Sequence, residues 1–258
     1  MAIKVLPAVC VSLMLALACW SQAPAVGIQV SSITYGEKVT AHLLNASGKD
    51  ISAFAVQCTI YYSDGGATVS EKIIDYLPAM ISVEQAGHSL TPDNGSGAFL
   101  RDAVIDLDLT DPKTIEQASV NVEAIVYADK TAQVRNRQGL RNILALRQAN
   151  VLALETANEY ISKALADPQE QHPSEMAAKQ LEAYAATLKS TGQNLSMDDP
   201  LAHEPLSLTN TAKLIRQAPQ SSIGRTREEE EYLNNFITEH RARIAAIKAH
   251  TQLQEVPQ

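Results

Sequence analysis

Hydrophobic and polar positions alternate most regularly in the segment Ile51–Tyr62. From Phe54 to Tyr62 every second residue is apolar, with Cys58 among them, and small or polar side chains occupy most of the positions between. Turn-forming residues flank the segment at positions 45–50 and 63–66. Alternation with a period of two is typical of a strand that buries one face. We therefore expect this segment to be the middle strand of an antiparallel sheet, with Cys58 in the core.

Further short strands are predicted on both sides of this segment. They cover residues 27–30, 37–44, 67–77, 104–109 and 118–128, with one more around residues 80–83. In the last long strand we expect Val122 and Ala124 on one face, opposite Ile125 and Tyr127. About seven short strands at this spacing predict an immunoglobulin-like (Ig-like) antiparallel β-sandwich.

From residue 135 onward the apolar spacing changes to that of helices. A stripe with alternating spacings of three and four residues begins at Leu140, includes the polar residues Arg147 and Asn158, and predicts an amphipathic helix of about 28 residues. Pro173 begins a second helix. Residues 193–205 are predicted to be a loop and residues 209–217 a short helix. Thr226 and Glu229 have the form of a capping box that begins the last helix, whose apolar stripe includes His240.

The sequence thus predicts a segregated α+β fold. An N-terminal Ig-like β-sandwich domain would span residues 26–134, and a C-terminal helical hairpin or small bundle would span residues 135–258. Residues 26–134 carry 6 basic and 14 acidic side chains, whereas residues 135–258 carry 14 and 15. This difference in charge supports a division into two parts.

The N-terminus indicates export. Lys4 precedes an apolar run over residues 5–20, and small residues at positions 21–25 suit signal-peptidase cleavage after Ala25. Residues 1–25 are therefore predicted to be a signal peptide, which places the mature chain in the periplasm or outside the cell. An uncleaved membrane anchor is one alternative. The other is an outer-membrane lipoprotein lipidated at Cys19, because residues 15–19 resemble a lipobox with Ala16 at the position where leucine is expected.

Composition limits the classes of partner. The formal net charge is −8 and aromatic residues make up 5% of the chain, so we expect no nucleic-acid binding. Contact with a membrane is expected only if Cys19 is lipidated. Without residues 1–25, Cys58 is the only cysteine of the mature chain, and an intramolecular disulfide is impossible.

Candidate catalytic and metal-binding residues are few. Cys58 is a potential nucleophile and His42 lies in a nearby predicted strand, but a buried thiol behaves as a small hydrophobe. His240 on the last helix is predicted to be a satisfied histidine in the interior or at its edge, and the six histidines form no zinc motif. No Walker, GxGxxG or GxSxG sequence occurs. We expect no catalytic residue, cofactor or metal. One cluster of acidic residues could in principle bind calcium, but it is better explained as the solvent-exposed face of a strand. It consists of Asp102, Asp106, Asp108 and Asp111.

One local basic patch lies where the predicted sheet meets the helices. It is the candidate interaction patch, and it consists of Arg135, Arg137, Arg141 and Arg147. Because the preceding part of the chain is acidic, these arginines suit either an anionic partner or an intramolecular contact with the sheet. Both alternatives stay open at the level of sequence.

Turn motifs in the first half resemble a known exported family. The stretch LNASGKDI at residues 44–51, followed after a long strand by YSDGG at residues 62–66, resembles bacterial FxLYD-type domains. The stretch VYADKT at residues 126–131 is similar to a closing V-x-Y-A-D-G-T strand, with Lys130 in place of glycine. The resemblance covers at most residues 28–131. It implies an exported Ig-like sandwich and brings no catalytic residues.

We therefore expect a non-catalytic exported protein of the bacterial envelope that acts as a structural or protein-interaction module with a protein partner. The alternative is a periplasmic enzyme or small-ligand-binding protein with a site between sheet and helices, where Arg135, Arg141 and His42 converge. A filled apolar junction would favour the first hypothesis, and a polar pocket the second.

Overall fold

A computed structural model describes residues 27–35, 38–78, 80–81, 102–108, 114–191, 195–222 and 224–256. Strands and helices occupy separate parts of the chain apart from one helical turn after β4 and one C-terminal strand, so the fold class is α+β. The strands are β1 Ile28–Tyr35, β2 Lys38–Asn45, β3 Ile51–Tyr62, β4 Ala67–Asp75, β5 Asp102–Asp108, β6 Ile115–Tyr127, β7 Thr131–Val134 and β8 Gln254–Val256. The helices are α1 Arg137–Ala166, α2 Pro173–Thr191, α3 Pro200–Ile215 and α4 Arg227–Ala249.

The strands form two sheets that share one apolar core. β1, β2 and β5 make an antiparallel sheet, and the other five strands make a second sheet in the order β4-β3-β6-β7-β8. β3 pairs antiparallel with β4 on one side and β6 on the other. This confirms the strand predicted at Ile51–Tyr62, with the same bounds. Phe54 and Cys58 on one face of β3 pack in the core with Val39 and Leu43 of β2.

β6 departs from the strict alternation that its sequence predicts. Its pairing with β3 shifts register at three places, and at one of them Glu123 is an extra residue of β6 that forms a β-bulge. Beyond the bulge, Ile125 faces the same core as Val122, and Ala124 packs on the opposite side of the sheet. The predicted assignment of faces was therefore wrong, because one inserted residue exchanges the two faces of everything that follows it.

α1 begins directly behind this bulge. The carbonyl oxygen of Glu123 accepts hydrogen bonds from the backbone amides of Arg135 (2.9 Å) and Asn136 (2.8 Å). The side chain of Asn136 then caps the helix by accepting from the Gln138 amide at 3.0 Å. Gly139 lies so close to the sheet that a Cβ atom there would fall 2.6 Å from the Cβ of Glu123. The first turn of α1 is thus held against β6.

Small side chains on the outer face of the larger sheet let α1 approach it closely. The residues that fill this junction are Ala53, Ala55, Ala124, Val126 and Ala132 from the sheet, and Leu140 and Ile143 from the helix. The junction between sheet and helix is therefore a filled apolar seam along the first two turns of α1.

One ion pair is buried at the far end of this junction. The side chains of Arg147 in α1 and Asp75 at the end of β4 are 0% and 3% exposed. Nε and Nη2 of Arg147 donate to the Asp75 carboxylate at 3.1 and 3.2 Å. Nη2 also donates to Ser52 Oγ at 3.1 Å, and Nη1 to the carbonyl oxygen of His250 at 2.9 Å. The Arg147–Asp75 pair therefore joins β3, β4, α1 and the end of α4.

α1 is the central helix of the helical part. α2, α3 and α4 each pack against it, and α2 also packs against α3. Burial extends beyond the predicted stripe of larger apolar residues, since Ala153, Ala157 and Ala164 are also enclosed. Alanines leave room for helices to approach from more than one side, which a single stripe does not predict.

Three local predictions were wrong. Residues 200–205 begin α3, because Asp199 caps that helix and Pro200 suits its first turn; Pro205 lies inside it. Met80 and Ile81 belong to a helical turn and not a strand, since the Met80 amide donates to the Tyr76 carbonyl oxygen. β8 was not predicted, and it pairs parallel with β7, so residues 135–258 are not purely helical.

Some expectations concern residues outside the described ranges. The signal peptide at residues 1–25, lipidation at Cys19 and the carboxylate of Asp111 all belong there. Within the part of the chain that the structure describes, the helices include none with the length and apolar character needed to cross a membrane.

Removing one partner of the Arg147–Asp75 pair should destabilise the protein strongly. Arg147→Met leaves a carboxylate buried without its counter-charge, so the free energy of unfolding should fall by about 3 kcal/mol. Asp75→Asn should also destabilise, and the double variant should lose less than the sum of the two single losses. Urea unfolding of all four proteins gives these values.

Arg137→Gln, at an exposed pair with Glu255, is the control and should cost less than about 1 kcal/mol. Additive effects of Arg147→Met and Asp75→Asn would contradict this account.

Candidate functional site

The four arginines of the candidate interaction patch do not share one surface. Arg147 is buried and bound to Asp75. It therefore takes no part in a surface patch. For Arg147 the second alternative from the sequence holds, which is an intramolecular contact with the acidic sheet. Its place in the predicted apolar stripe is explained by this burial.

The other three arginines lie at the start of α1 and just before it. Arg137 pairs with Glu255 at 3.4 Å, and Arg141 pairs with Asp198 at 3.2 Å. Arg135 lines a cavity of about 220 Å³ between β1 and β6. Exposed pairs of this kind contribute little stability. An anionic partner for Arg135, Arg137 and Arg141 stays a prediction.

Cys58 and His42 do not form a catalytic pair. Cys58 is fully buried in the core between the sheets, and this burial raises the pKa of its thiol. His42 is exposed on β2, a strand of the other sheet. Asp102, Asp106 and Asp108 lie along β5. Among the described residues, no group of three or more His, Cys, Asp or Glu side chains is placed to hold a metal ion.

A different region combines a cavity with polar groups that lack partners. This region is the cleft between α3 and α4, over a floor formed by α1. One cavity of about 200 Å³ is lined by Pro78, Asn150, Leu154, Ser207, Asn210, Thr211, Leu214, His240, Arg243 and Ile247. A second cavity of about 370 Å³ is lined by Leu214, Tyr232, Asn235, Phe236, Glu239, His240 and Arg243. Because Leu214, His240 and Arg243 line both cavities, the two adjoin at these residues. We call them together the α3–α4 cleft.

His240 is buried in the wall of the cleft, with 5% of its surface exposed. Its ring lies against that of Phe236, with 3.8 Å between the centroids. Burial, and to a lesser extent the charge of Arg243, lowers the pKa of His240 to about 4, so the imidazole is neutral at physiological pH. Nδ1 of this ring is buried and has no hydrogen-bond partner. The histidine is therefore interior, as predicted, but it is not satisfied.

Arg243 lies one turn beyond His240 on the same helix. It is half-buried, and its desolvation lowers the pKa of the guanidinium. In contrast to Arg147, it makes no hydrogen bond or ion pair with any residue that the structure describes. A guanidinium that is withdrawn from water and left without a counter-charge is costly to the folded state.

The hydroxyl groups of the cleft are already engaged elsewhere. Ser207 Oγ donates to Asn150 Oδ1 at 2.7 Å, and Thr211 Oγ1 donates to the carbonyl oxygen of Ser207 at 2.9 Å. Neither hydroxyl is hydrogen-bonded to His240, and a nucleophile needs such a base within reach. The arrangement suits binding of a polar group and gives no activated nucleophile.

A larger and more apolar groove lies between α2 and α3, with a volume of about 680 Å³. Leu201 and Leu206 of α3 line it and are exposed. The carboxylate of Glu182 on its edge already pairs with Arg216, and Thr209 Oγ1 donates to the Pro205 carbonyl oxygen. This groove offers apolar surface, but the polar groups named here are already engaged, unlike Arg243 and His240 of the α3–α4 cleft.

The sequence holds a local signal for the cleft. Phe236, His240 and Arg243 follow each other at spacings of four and three residues, and His240 belongs to the predicted apolar stripe of α4. Arg243 also lies in the later part of the helix, where the helix dipole favours a cation, and this position alone gives no reason to place it in a cleft. Which cations of a helix are exposed depends on its neighbours in space, and these cannot be derived from the spacing alone.

Comparison with known proteins does not assign the chain, since no family model, no curated protein and no solved structure matches it. The resemblance to FxLYD-type domains therefore stays a prediction.

Replacing Arg243 should stabilise the protein. Arg243→Met keeps the packing of the aliphatic stem and removes a desolvated, unpaired charge, so the free energy of unfolding should rise by about 1 kcal/mol. Arg241→Met, at an exposed position of the same helix, is the control and should change stability by less than about 0.5 kcal/mol. Both are measured by urea unfolding. A loss of stability on Arg243→Met, similar to that expected for Arg147→Met, would show that Arg243 serves the fold.

Proposed function

We propose that this chain is a non-catalytic exported protein of the bacterial envelope that binds a protein partner. In this proposal residues 1–25 direct export, the two sheets form an Ig-like sandwich, and the helical part carries the binding surface. The observation that carries the proposal is the α3–α4 cleft, whose lining includes the half-buried cation Arg243 and the ring of His240, with a buried Nδ1; neither group has a partner among the described residues. Unsatisfied polar groups in a concave, partly apolar site are typical of binding sites.

The rest of the structure supports binding more than catalysis. The seam between sheet and helix is filled by apolar side chains, which leaves little room for a site there. Arg135 and Arg141 have different surroundings: the first lines a cavity beside β1 and β6, and the second pairs with Asp198. His42 is exposed on the smaller sheet. This arrangement speaks against the alternative of a ligand site formed by these three residues.

The sheets are suited to support the helices. The Arg147–Asp75 pair and the Gly139 contact hold α1 on the sheet at two separated points. α3 and α4, which form the walls of the cleft, both pack on α1. A binding cleft built on helices that are fixed to a sheet keeps its geometry better than one built on loops.

Export is tested by the mature N-terminus. In its native cells the chain should be recovered outside the cytoplasm and begin at Val26, as measured by mass spectrometry of the intact protein. Ala25→Arg should block cleavage, because signal peptidase needs a small residue before the cut. Cys19→Ser is the matched control and should leave the product unchanged. A lipidated N-terminal Cys19 would show the lipoprotein alternative, and a cytoplasmic chain with residues 1–25 intact would refute export.

Partner binding is tested by photocrosslinking from the cleft. A photoreactive p-benzoylphenylalanine replaces Asn235, which lines the second cavity, in protein produced in native cells. We expect one defined crosslinked product. Thr238 is exposed on the same helix and outside the cleft lining, so the same replacement there is the control and should give none. Equal products from both positions, or none from either, would refute the proposed function.

A further inference from the structure

We propose that the α3–α4 cleft recognises a single carboxylate attached to an apolar group, with the Arg243 guanidinium as its counter-charge. This inference rests on the proposed function, since it states which chemical group of the partner the cleft receives. It is carried by three features of the cleft: a cation without a counter-charge among the described residues, a buried ring nitrogen that also lacks a partner among them, and apolar walls.

The unpaired cation selects for an anion. Arg243 is half-buried and has no carboxylate of the described chain within ion-pair distance. Glu239, one turn earlier, lines the second cavity but forms no ion pair with it. A guanidinium presents parallel N–H groups that match the two oxygens of a carboxylate. Binding such a group would satisfy Arg243 in a place where water is partly excluded and where ionic hydrogen bonds are strong.

His240 supplies a second point of contact. Its Nδ1 has no partner, and its ring lines both cavities together with Arg243. A neutral imidazole donates through the nitrogen that carries the proton, and the other nitrogen accepts. Nδ1 is buried, so a small rotation of the ring is needed before it can donate, with the proton on Nδ1, to a carboxylate held by Arg243. The buried nitrogen then gains the hydrogen bond that the folded chain does not give it.

The charge of the lining favours a monoanion over phosphate. The residues that line the two cavities include one guanidinium, Arg243, and one carboxylate, Glu239. A single negative charge is matched by Arg243, whereas a second would have no cation to meet and would be repelled by Glu239. Inorganic phosphate at neutral pH is a mixture of the monoanion and the dianion and has no apolar part, and it is therefore the poorer ligand.

The walls of the cleft require an apolar group beside the carboxylate. Leu154 and Ile247 line the first cavity, and Phe236 lines the second. Leu214 lies between the two. An apolar or aromatic group placed there would remove its surface and that of these side chains from water. A polypeptide that ends in an apolar residue carries both parts of this ligand, and so does a small organic acid with an aromatic ring.

The test titrates the mature protein with four probes and measures heat of binding and changes in amide NMR signals. N-acetylphenylalanine and 3-phenylpropionate carry the carboxylate and the ring, N-acetylphenylalanine amide lacks the charge, and inorganic phosphate lacks the ring. We expect the two carboxylates to bind and to shift signals of α3 and α4. The amide and phosphate should bind at least about tenfold more weakly. Tighter binding of N-acetylphenylalanine than of 3-phenylpropionate would indicate a chain terminus as the natural source.

Variants locate the binding. Arg243→Gln should weaken both carboxylates by about tenfold or more and leave the protein folded, since no described contact of the fold is lost. Arg243→Lys keeps the charge without the parallel N–H groups and should give an intermediate affinity. Arg241→Gln is the matched control on the same helix and should bind as the native protein does. Unchanged affinity in Arg243→Gln, or equal affinity for N-acetylphenylalanine and its amide, would overturn the inference.

The failure of this inference differs from the failure of the proposed function. If neither carboxylate binds but the crosslink from position 235 still forms and survives Arg243→Gln, the partner uses the cleft without a carboxylate, and the inference alone is wrong. If neither carboxylate binds and no crosslink forms, both are wrong. A crosslink that forms in the native protein and is lost in Arg243→Gln, together with carboxylate binding, supports both.

Discussion

The buried Arg147–Asp75 pair is the contact on which the arrangement of sheet and helices depends. Removing two charges from water costs several kcal/mol for each ion, and this cost is offset only when hydrogen bonds satisfy both groups. The acceptors of Arg147 come from three places: Asp75 ends β4, Ser52 lies in β3, and the carbonyl of His250 follows α4. The guanidinium is thus satisfied only when all three surround α1. The pair selects one arrangement of the chain more than it adds net stability.

Much of the fold follows from local pattern, and the failures have long-range causes. β3 was predicted with correct bounds because alternation and turn residues agree along its length. The two faces of β6 were not predicted correctly, because the bulge at Glu123 depends on pairing with β3 and on the backbone amides of Arg135 and Asn136, which donate to the Glu123 carbonyl oxygen. β8 is three residues long and exists through its pairing with β7. Pro205 suggests a break in α3, and packing of the helix against α1 and α2 overrides it.

The candidate site was harder to predict than the fold. The sequence places Arg147 within the predicted stripe of α1 and Arg243 in the later part of α4, where a cation complements the helix dipole, and neither position shows whether the charge is satisfied. Their difference lies in what other segments bring to them: Asp75 is far from Arg147 in the chain, and α3 reaches Arg243 only through the packing of the bundle. A charge pattern within one helix therefore identifies candidates, and only the tertiary contacts separate a satisfied cation from an unsatisfied one.

The contrast between these two arginines is the strongest physical argument for a ligand. Packing withdraws both guanidinium groups from water, and the fold supplies Arg147 with acceptors from three elements and Arg243 with none among the described residues. The unsatisfied nitrogen of His240 lies in the same wall as Arg243, whereas the other buried side-chain atoms of the described residues that lack a partner belong to Asn158, Glu229 and His250. Such departures concentrate where function opposes stability. Because no described residue supplies a counter-charge for Arg243, a ligand carboxylate is the partner that we propose for it.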